Sequence, residues 1–367
     1  MEKTLYSFNA FGRTSELLTN DIDLLSFYGL LNNTSIEIDR FGFLNQFSNL
    51  NLGQSDNFLE LKYYISPTYE NFREIFYDKI KSIVNKNQKI YVSWSGGVDS
   101  SAIVCGLLSY SGFNKSLLNV LHTKESISEF PKLYEILVKN NVNMIDLTND
   151  VNGTTYCNTI NDGLLIMGWC ADQLFGSIIN QEYPDYFNKP YEKWIVDISC
   201  KINFNCEDSI EQIKMASDYY GIPIKTFPEW TWFMNFFVKW NLIKLTPYAI
   251  IGKYSENIIN FFDEINFQRW SVSNFDSISK LAQSNSMEYK LELKRIIEEY
   301  TKDTDYTRNK GKEASWYYVE SKQNIVKAAI IDNEGFKSFK PNFNVPKTRL
   351  NSIRTRIIES IIKNYRK

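Results

Sequence analysis

The sequence predicts an α/β protein: a parallel sheet with flanking helices, a small α+β unit before it and a mainly helical region after it. Three observations carry this. Short apolar runs alternate with amphipathic runs from about residue 67 to residue 180. A glycine- and serine-rich turn, "SWSGGVDSS" (Ser93–Ser101), separates the first apolar run from its helix. Beyond about residue 200 the apolar spacing is mainly helical.

Residues 1–66 read as a small polar-aromatic unit with strand-like runs such as "SIEIDRFGFL". Residues 67–270 are the expected sheet domain. "SPTYENFREIFYDKIKSIVNKNQ" opens it as a helix, with Ser66 and Pro67 suited to a cap and first turn. Phe72, Ile75, Phe76, Ile80 and Ile83 supply its apolar stripe. "KIYVSWS" is a strand, and "SSAIVCGLLSYSG" a helix ending near Gly112. "SLLNVLHT", "EFPKLYEILVKNN" and "VNMIDLT" continue as strand, helix and strand. "GLLIMGWCADQLFGS" suits a fourth strand turning into a helix. Such alternation gives parallel βαβ units, which bind ligands at the carboxyl ends of their strands.

Residues 271–367 form the expected helical region with a basic tail. From Lys337 onward nine Lys or Arg face a single acid, Glu359. Ile353, Ile357 and Ile361 stripe that tail, which suits a docked helix with a solvated basic face. Contact with an acidic partner or nucleic acid is the other reading of the same charge. "PEWTWFMNFFVKW" places Trp230, Phe233, Phe237 and Trp240 on one helical stripe, for packing or for a substrate wall.

Charge excludes some functions. The 41 basic and 43 acidic residues leave a net charge of −2, so no global field recruits nucleic acid or membrane. The N-terminus lacks a long apolar stretch and a small-residue cleavage site, and no window approaches the ~18 apolar residues of a membrane span. Five cysteines without a C-x-x-C pair suggest reduced thiols and a cytoplasmic location, with no structural zinc. A single histidine, His122, excludes chemistry needing two imidazoles.

The loop has the composition of an anion cradle. Gly96 and Gly97 permit positive φ and close approach of phosphate oxygens, and the following helix offers its first N–H groups. Ser95, Ser100 and Ser101 add hydroxyls, but the G-K-[ST] of a Walker loop is absent. Asp99 among phosphates is repulsive without a cation between them, so it implies Mg²⁺. A capped strand–helix turn is the bland alternative. Asp172, after a different strand, would complete a carboxylate pair suited to a magnesium–pyrophosphate clamp, unless it is a helix cap or surface acid.

"SGGVDSS" resembles the S-G-G-x-D-S pyrophosphate loop (PP-loop) of the ATP pyrophosphatases, which cleave ATP between the α and β phosphates. "GWCADQLFGS" (Gly168–Ser177) resembles the G-E-G-[SA]-D-E-L-F-G-G signature of the asparagine synthetase synthase domain. Gly168, Ala171, Asp172, Leu174, Phe175 and Gly176 match it. "DYTRNKGKEAS" resembles the family's R-x-K segment, although Arg308, Lys310 and Lys312 all lie within it. The resemblance implies ATP and Mg²⁺ as cofactors, with Asp99 and Asp172 on the metal and Lys310 as the essential lysine. It implies that Ser95, Gly96, Gly97, Val98, Asp99, Ser100 and Ser101 hold ATP and pyrophosphate, with Gly168 by the adenine. Ser93 and His122, at strand ends beside that expected pocket, are further candidate adenine contacts, His122 being otherwise a hydrogen-bonded edge residue.

The resemblance implies an amide-forming ligase that adenylates a substrate carboxylate and passes the acyl group to ammonia or an amine. Departures stand beside it. Trp169 replaces the family glutamate and Gln173 an acid, and Trp169 has only an N–H donor and cannot act as a base. Glu2 stands where glutamine-dependent relatives carry a catalytic cysteine, so ammonia would be free, come from a separate glutaminase, or be an amine on the substrate. Two further readings stay open: adenylation of a nucleobase or tRNA, and a catalytically decayed AMP-binding protein.

Overall fold

The computed structural model describes residues 4–8, 14–17, 71–150, 154–176, 222–233, 255–278, 288–309, 327–332 and 335–339, with short pieces between 184 and 193 and between 235 and 247. Strands β3 (Ile90–Ser93), β4 (Leu118–His122), β5 (Asn143–Asp146), β6 (Leu164–Met167) and β7 (Ile258–Asn260) form one sheet in the order β5-β4-β3-β6-β7. Every neighbouring pair is parallel. The chain starts at the centre with β3, runs outward to β5, then returns to the other side of β3 as β6. The sheet order therefore reverses between β3 and β6. In an open α/β sheet the ligand crevice forms at that point, outside the strands' carboxyl ends.

Burial follows from the two-sided packing. Every residue of β3, β4 and β6 is buried, as expected of parallel strands with helices on both faces. One face carries the larger core. There α1 (Phe72–Val84) buries Phe72, Ile75, Phe76, Ile80 and Ile83 beside α2 (Val98–Ser109), which is buried from Ser100 to Leu108. The same core takes in α4 (Pro131–Lys139), after the short α3 (Lys124–Glu129), and later α8 (Ile265–Ser273) and α9 (Leu291–Thr301). On the other face α5 (Thr154–Asp162) lays Tyr156 and Ile160 against Leu121, Leu165 and Met167.

Two boundaries differ from expectation. Helix α1 is capped by Asn71, whose side chain accepts from Arg73 N at 3.0 Å in an extended backbone, so its first turn begins at Phe72. Ser66 and Pro67 lie outside the described residues. Helix α2 stops at Ser109, short of Gly112. Of the expected aromatic stripe, Trp230 and Phe233 lie on α7 (Phe227–Phe233), and Trp240 follows it. All three are buried in the core, while Phe237 lies outside the described residues.

Strands also occur where the spacing suggested helix. β7 is only three residues long and completes the sheet beside β6. A run that short carries no period to read. β8 (Lys327–Asp332) and β9 (Gly335–Phe339) form a hairpin within the region expected to be mainly helical. They join β1 (Thr4–Phe8) and β2 (Thr14–Leu17) in a second, antiparallel sheet of order β2-β1-β8-β9. The run "SIEIDRFGFL" and most of the basic tail fall outside the described residues.

Candidate functional site

The loop after β3 enters the crevice at the sheet centre. Gly96 has φ +79°, and a Cβ there would sit 2.5 Å from the Ser126 carbonyl oxygen and 2.7 Å from Glu129 Cβ. Both the conformation and the space require glycine. Gly97 is the N-cap of α2 and supplies no side-chain cap, leaving the helix's first N–H groups to other acceptors. Gly97 N donates to Ser95 Oγ at 3.2 Å, and Ser95 N donates to Ser100 Oγ at 3.1 Å. The two hydroxyls lie 3.1 Å apart. Ser101 is buried and accepts from Trp94 Nε1 at 2.9 Å, so it braces the loop from beneath. Val98 opens α2 and packs against the core.

The two predicted carboxylates meet. Asp99 lies in the first turn of α2, and Asp172 in the first turn of α6 (Ala171–Phe175), which follows β6. Each reaches the same cation. Lys290 Nζ donates to both Asp99 oxygens at 2.6 Å and lies 2.6 Å from Asp172 Oδ1. Tyr289 Oη donates to that Asp172 oxygen at 2.7 Å and approaches the Gly176 carbonyl at 3.2 Å. Gly168 permits the convergence. A Cβ there would lie 3.2 Å from both Asp99 Cβ and Ser100 N.

Burial and charge act against each other at this cluster. The Lys290 side chain is 6% exposed, against 25% for Asp99 and 42% for Asp172. Burial alone pulls its ammonium pKa down, but the Asp172 and Asp99 carboxylates outweigh that and raise it. Burial pushes the Tyr289 phenol well above its ordinary range, and the neighbouring Asp172 charge adds to the shift. Lys290 is also the N-cap of α9, with φ 57° in the left-handed region. A cation at the positive end of a helix, in a conformation that disfavours side chains, is held there by its two acids. Cys170, just before α6, is likewise left-handed at φ 72°.

The expected adenine contacts separate. Ser93 pairs with Leu121 across β3 and β4, so its side chain shares Leu121's face, where its hydroxyl lies 3.0 Å from Tyr156 Oη. His122, one residue further, turns to the opposite face. Its ring sits edge-on to Tyr134 with centroids 5.8 Å apart. Gly168 follows β6 at the same rim, where half-buried Trp169 packs against the cores of both faces. Gln173 is buried in α6, and its side-chain oxygen has no hydrogen-bond partner among the described residues. Arg308 is exposed at the end of α10 (Thr304–Asn309), and Lys310 and Lys312 lie outside the described residues.

Sequence reading did not single out Lys290, Tyr289 or Tyr306. Tyr306, on α10, donates from its Oη to the Gly96 carbonyl at 2.9 Å. For Lys290 a signal was present: a lysine at the predicted start of "LELKRIIEEY" stands at the wrong end of the helix dipole.

The donor set fits a divalent cation held jointly with a ligand. Two carboxylates from different strand ends already close on one positive charge. Among the described residues, no group of three or more His, Cys, Asp or Glu comes together, so a magnesium ion here would draw further oxygens from a bound phosphate and water. Compared with protein-family models and with curated proteins, the sequence finds no match.

Proposed function

We propose that this chain is an ATP-dependent, AMP- and pyrophosphate-forming carbon–nitrogen ligase of the PP-loop kind, with asparagine synthetase-like chemistry. One observation carries the reading: Asp99 and Asp172, in the first turns of the helices that follow neighbouring strands β3 and β6, share one ammonium beside an uncapped helix N-terminus. Nucleotide binding alone needs the helix terminus. A second, converging carboxylate suits a metal that also neutralises a departing pyrophosphate.

In this reading the N–H groups opening α2, with Ser95, bind the β and γ phosphates of ATP. Asp99 and Asp172 would hold magnesium, which supplies charge neutralisation for the departing pyrophosphate when bound. A substrate carboxylate oxygen bonds to the α-phosphorus as the bond to the bridging oxygen breaks, and an amine then displaces AMP from the acyl carbon. Lys290 offers the leaving group a positive charge from within the crevice, a role the resemblance gave to Lys310. Trp169 cannot take the amine's proton, so the amine loses it to solvent or to its own substrate.

ATP–pyrophosphate exchange across amino acids, peptides and nucleotides tests the reading. Asp99→Asn is expected to lower exchange by about 100-fold or more while the protein stays folded. Exchange that survives in that variant overturns it. A second reading, nucleotide binding without turnover, is favoured by Trp169 and Gln173 standing where the family has acids. It predicts ATP binding with no exchange for any substrate.

A further inference from the structure

We propose that Tyr306 is a positioning residue that locks the Gly96–Gly97 peptide in the orientation that binds pyrophosphate. The proposal rests on the pyrophosphate-handling role given above to this loop. The peptide is trans, so its carbonyl and its N–H point to opposite sides. Tyr306 Oη holds the carbonyl side, donating to Gly96 O at 2.9 Å in a buried contact. The N–H side belongs to Gly97 and lies 3.2 Å from Ser95 Oγ, among the hydroxyls at the start of α2.

Without that hydroxyl the peptide is left, among the described residues, with the 3.2 Å hydrogen bond from Gly97 N to Ser95 Oγ. Gly96 carries no Cβ and sits at φ +79°, so rotation of the peptide plane meets no side-chain barrier at that residue. A rotated peptide would turn a carbonyl oxygen toward the anion and withdraw an N–H from it. One orientation attracts phosphate, the other repels it.

The tyrosine is anchored as such a role needs. Its ring stacks flat on Phe130, with centroids 3.5 Å apart and planes 7° from parallel. Its backbone N donates to Asp303 Oδ1 at 3.1 Å, and Asp303 pairs with Lys132 of α4 at 3.5 Å. Burial raises the phenol's pKa well above its ordinary range, so it remains a donor.

The test is Tyr306→Phe, which keeps the stacking ring and removes the hydroxyl. Sodium pyrophosphate and AMP are titrated separately, in magnesium buffer, into wild type and variant by calorimetry. Pyrophosphate affinity is expected to fall about tenfold and AMP affinity to change by less than about twofold. A tenfold loss for both ligands, or for neither, overturns the proposal and leaves the ligase reading standing. Wild-type protein that binds no pyrophosphate overturns both. Glycine-selective ¹⁵N spectra of the wild type give a readout that does not depend on the variant folding. Pyrophosphate is expected to shift the Gly97 amide, and an unshifted amide also overturns the proposal.

Discussion

Replacing Lys290 by methionine removes the charge that pairs with both Asp99 and Asp172. Methionine is close to lysine in length and fills the same buried space, so the change is mainly electrostatic. Removing one partner from a buried ion pair costs about 3–5 kcal/mol, because the remaining charge loses its compensation. Here Asp99 and Asp172 keep 25% and 42% of their side-chain surface in water, which relieves part of that cost. The loss is therefore set at about 3 kcal/mol, the lower end of that range. For a domain of this size it corresponds to a fall in Tm of roughly 6–12 °C. The raised Lys290 pKa fixes the sign with pH. The folded state holds this proton more tightly than the unfolded state does, so the stabilisation is complete below 10.5 and fades as pH rises past it. The gap between wild type and Lys290→Met should be constant at neutral pH and close in strong alkali. Magnesium chloride should raise the Tm of the variant more than that of the wild type, since the metal neutralises two carboxylates that have lost the Lys290 charge. Thermal unfolding followed by circular dichroism measures all three effects. A variant with wild-type Tm at pH 7, or one indifferent to magnesium, would refute the account of this cluster.

Two further substitutions test other parts of the structure. Gly168→Ala places a methyl group 3.2 Å from Asp99 Cβ and Ser100 N, which should cost about 1–3 kcal/mol in denaturant unfolding. The methyl also pushes on the first turn of α2, which carries Asp99, so ATP–pyrophosphate exchange should fall more than stability does. Unchanged exchange would mean that Gly168 does not set the loop. Tyr91 donates its hydroxyl to Asp162, and burial, followed by that hydrogen bond and charge, pushes its pKa up to about 12. The folded state keeps a proton that the unfolded chain releases near 10.0, so stability is full below that pH and is lost between 10 and 12. Tyr91→Phe should be slightly less stable at neutral pH and should lose less stability across that alkaline window. Parallel pH curves for the two proteins would count against this.

How far the sequence could be read depended on the range of the contacts involved. The four strands β3 to β6 and their helices were legible because each carries its own period and stop signals. The loop and Asp172 were legible because they are short, local patterns. β7 was not, since three residues cannot display a period. The β8–β9 hairpin was missed because helical spacing was carried through a region whose strands pair with the other end of the chain. Lys290 lies 191 residues from Asp99, and its partners are set by how α9 packs along α2. No short motif records that. The opposite outlook of Ser93 and His122 follows from strand register, which appears only once β3 and β4 are paired.

The span between Asp99 and Lys290 also sets an order of events at the ribosome. At ~5–20 residues per second, roughly 10–40 s separate the synthesis of the first acid from that of its counter-ion. The central strand, the glycine loop and both carboxylates emerge well before the cation that joins them. Once Asp172 has been made, for the later part of that interval, the nascent chain carries two acids at the end of an unfinished sheet, open to solvent cations. The crevice is thus among the last parts of the described fold to close, and a chain broken off before residue 290 would keep the loop yet lack the lysine that pairs with both acids.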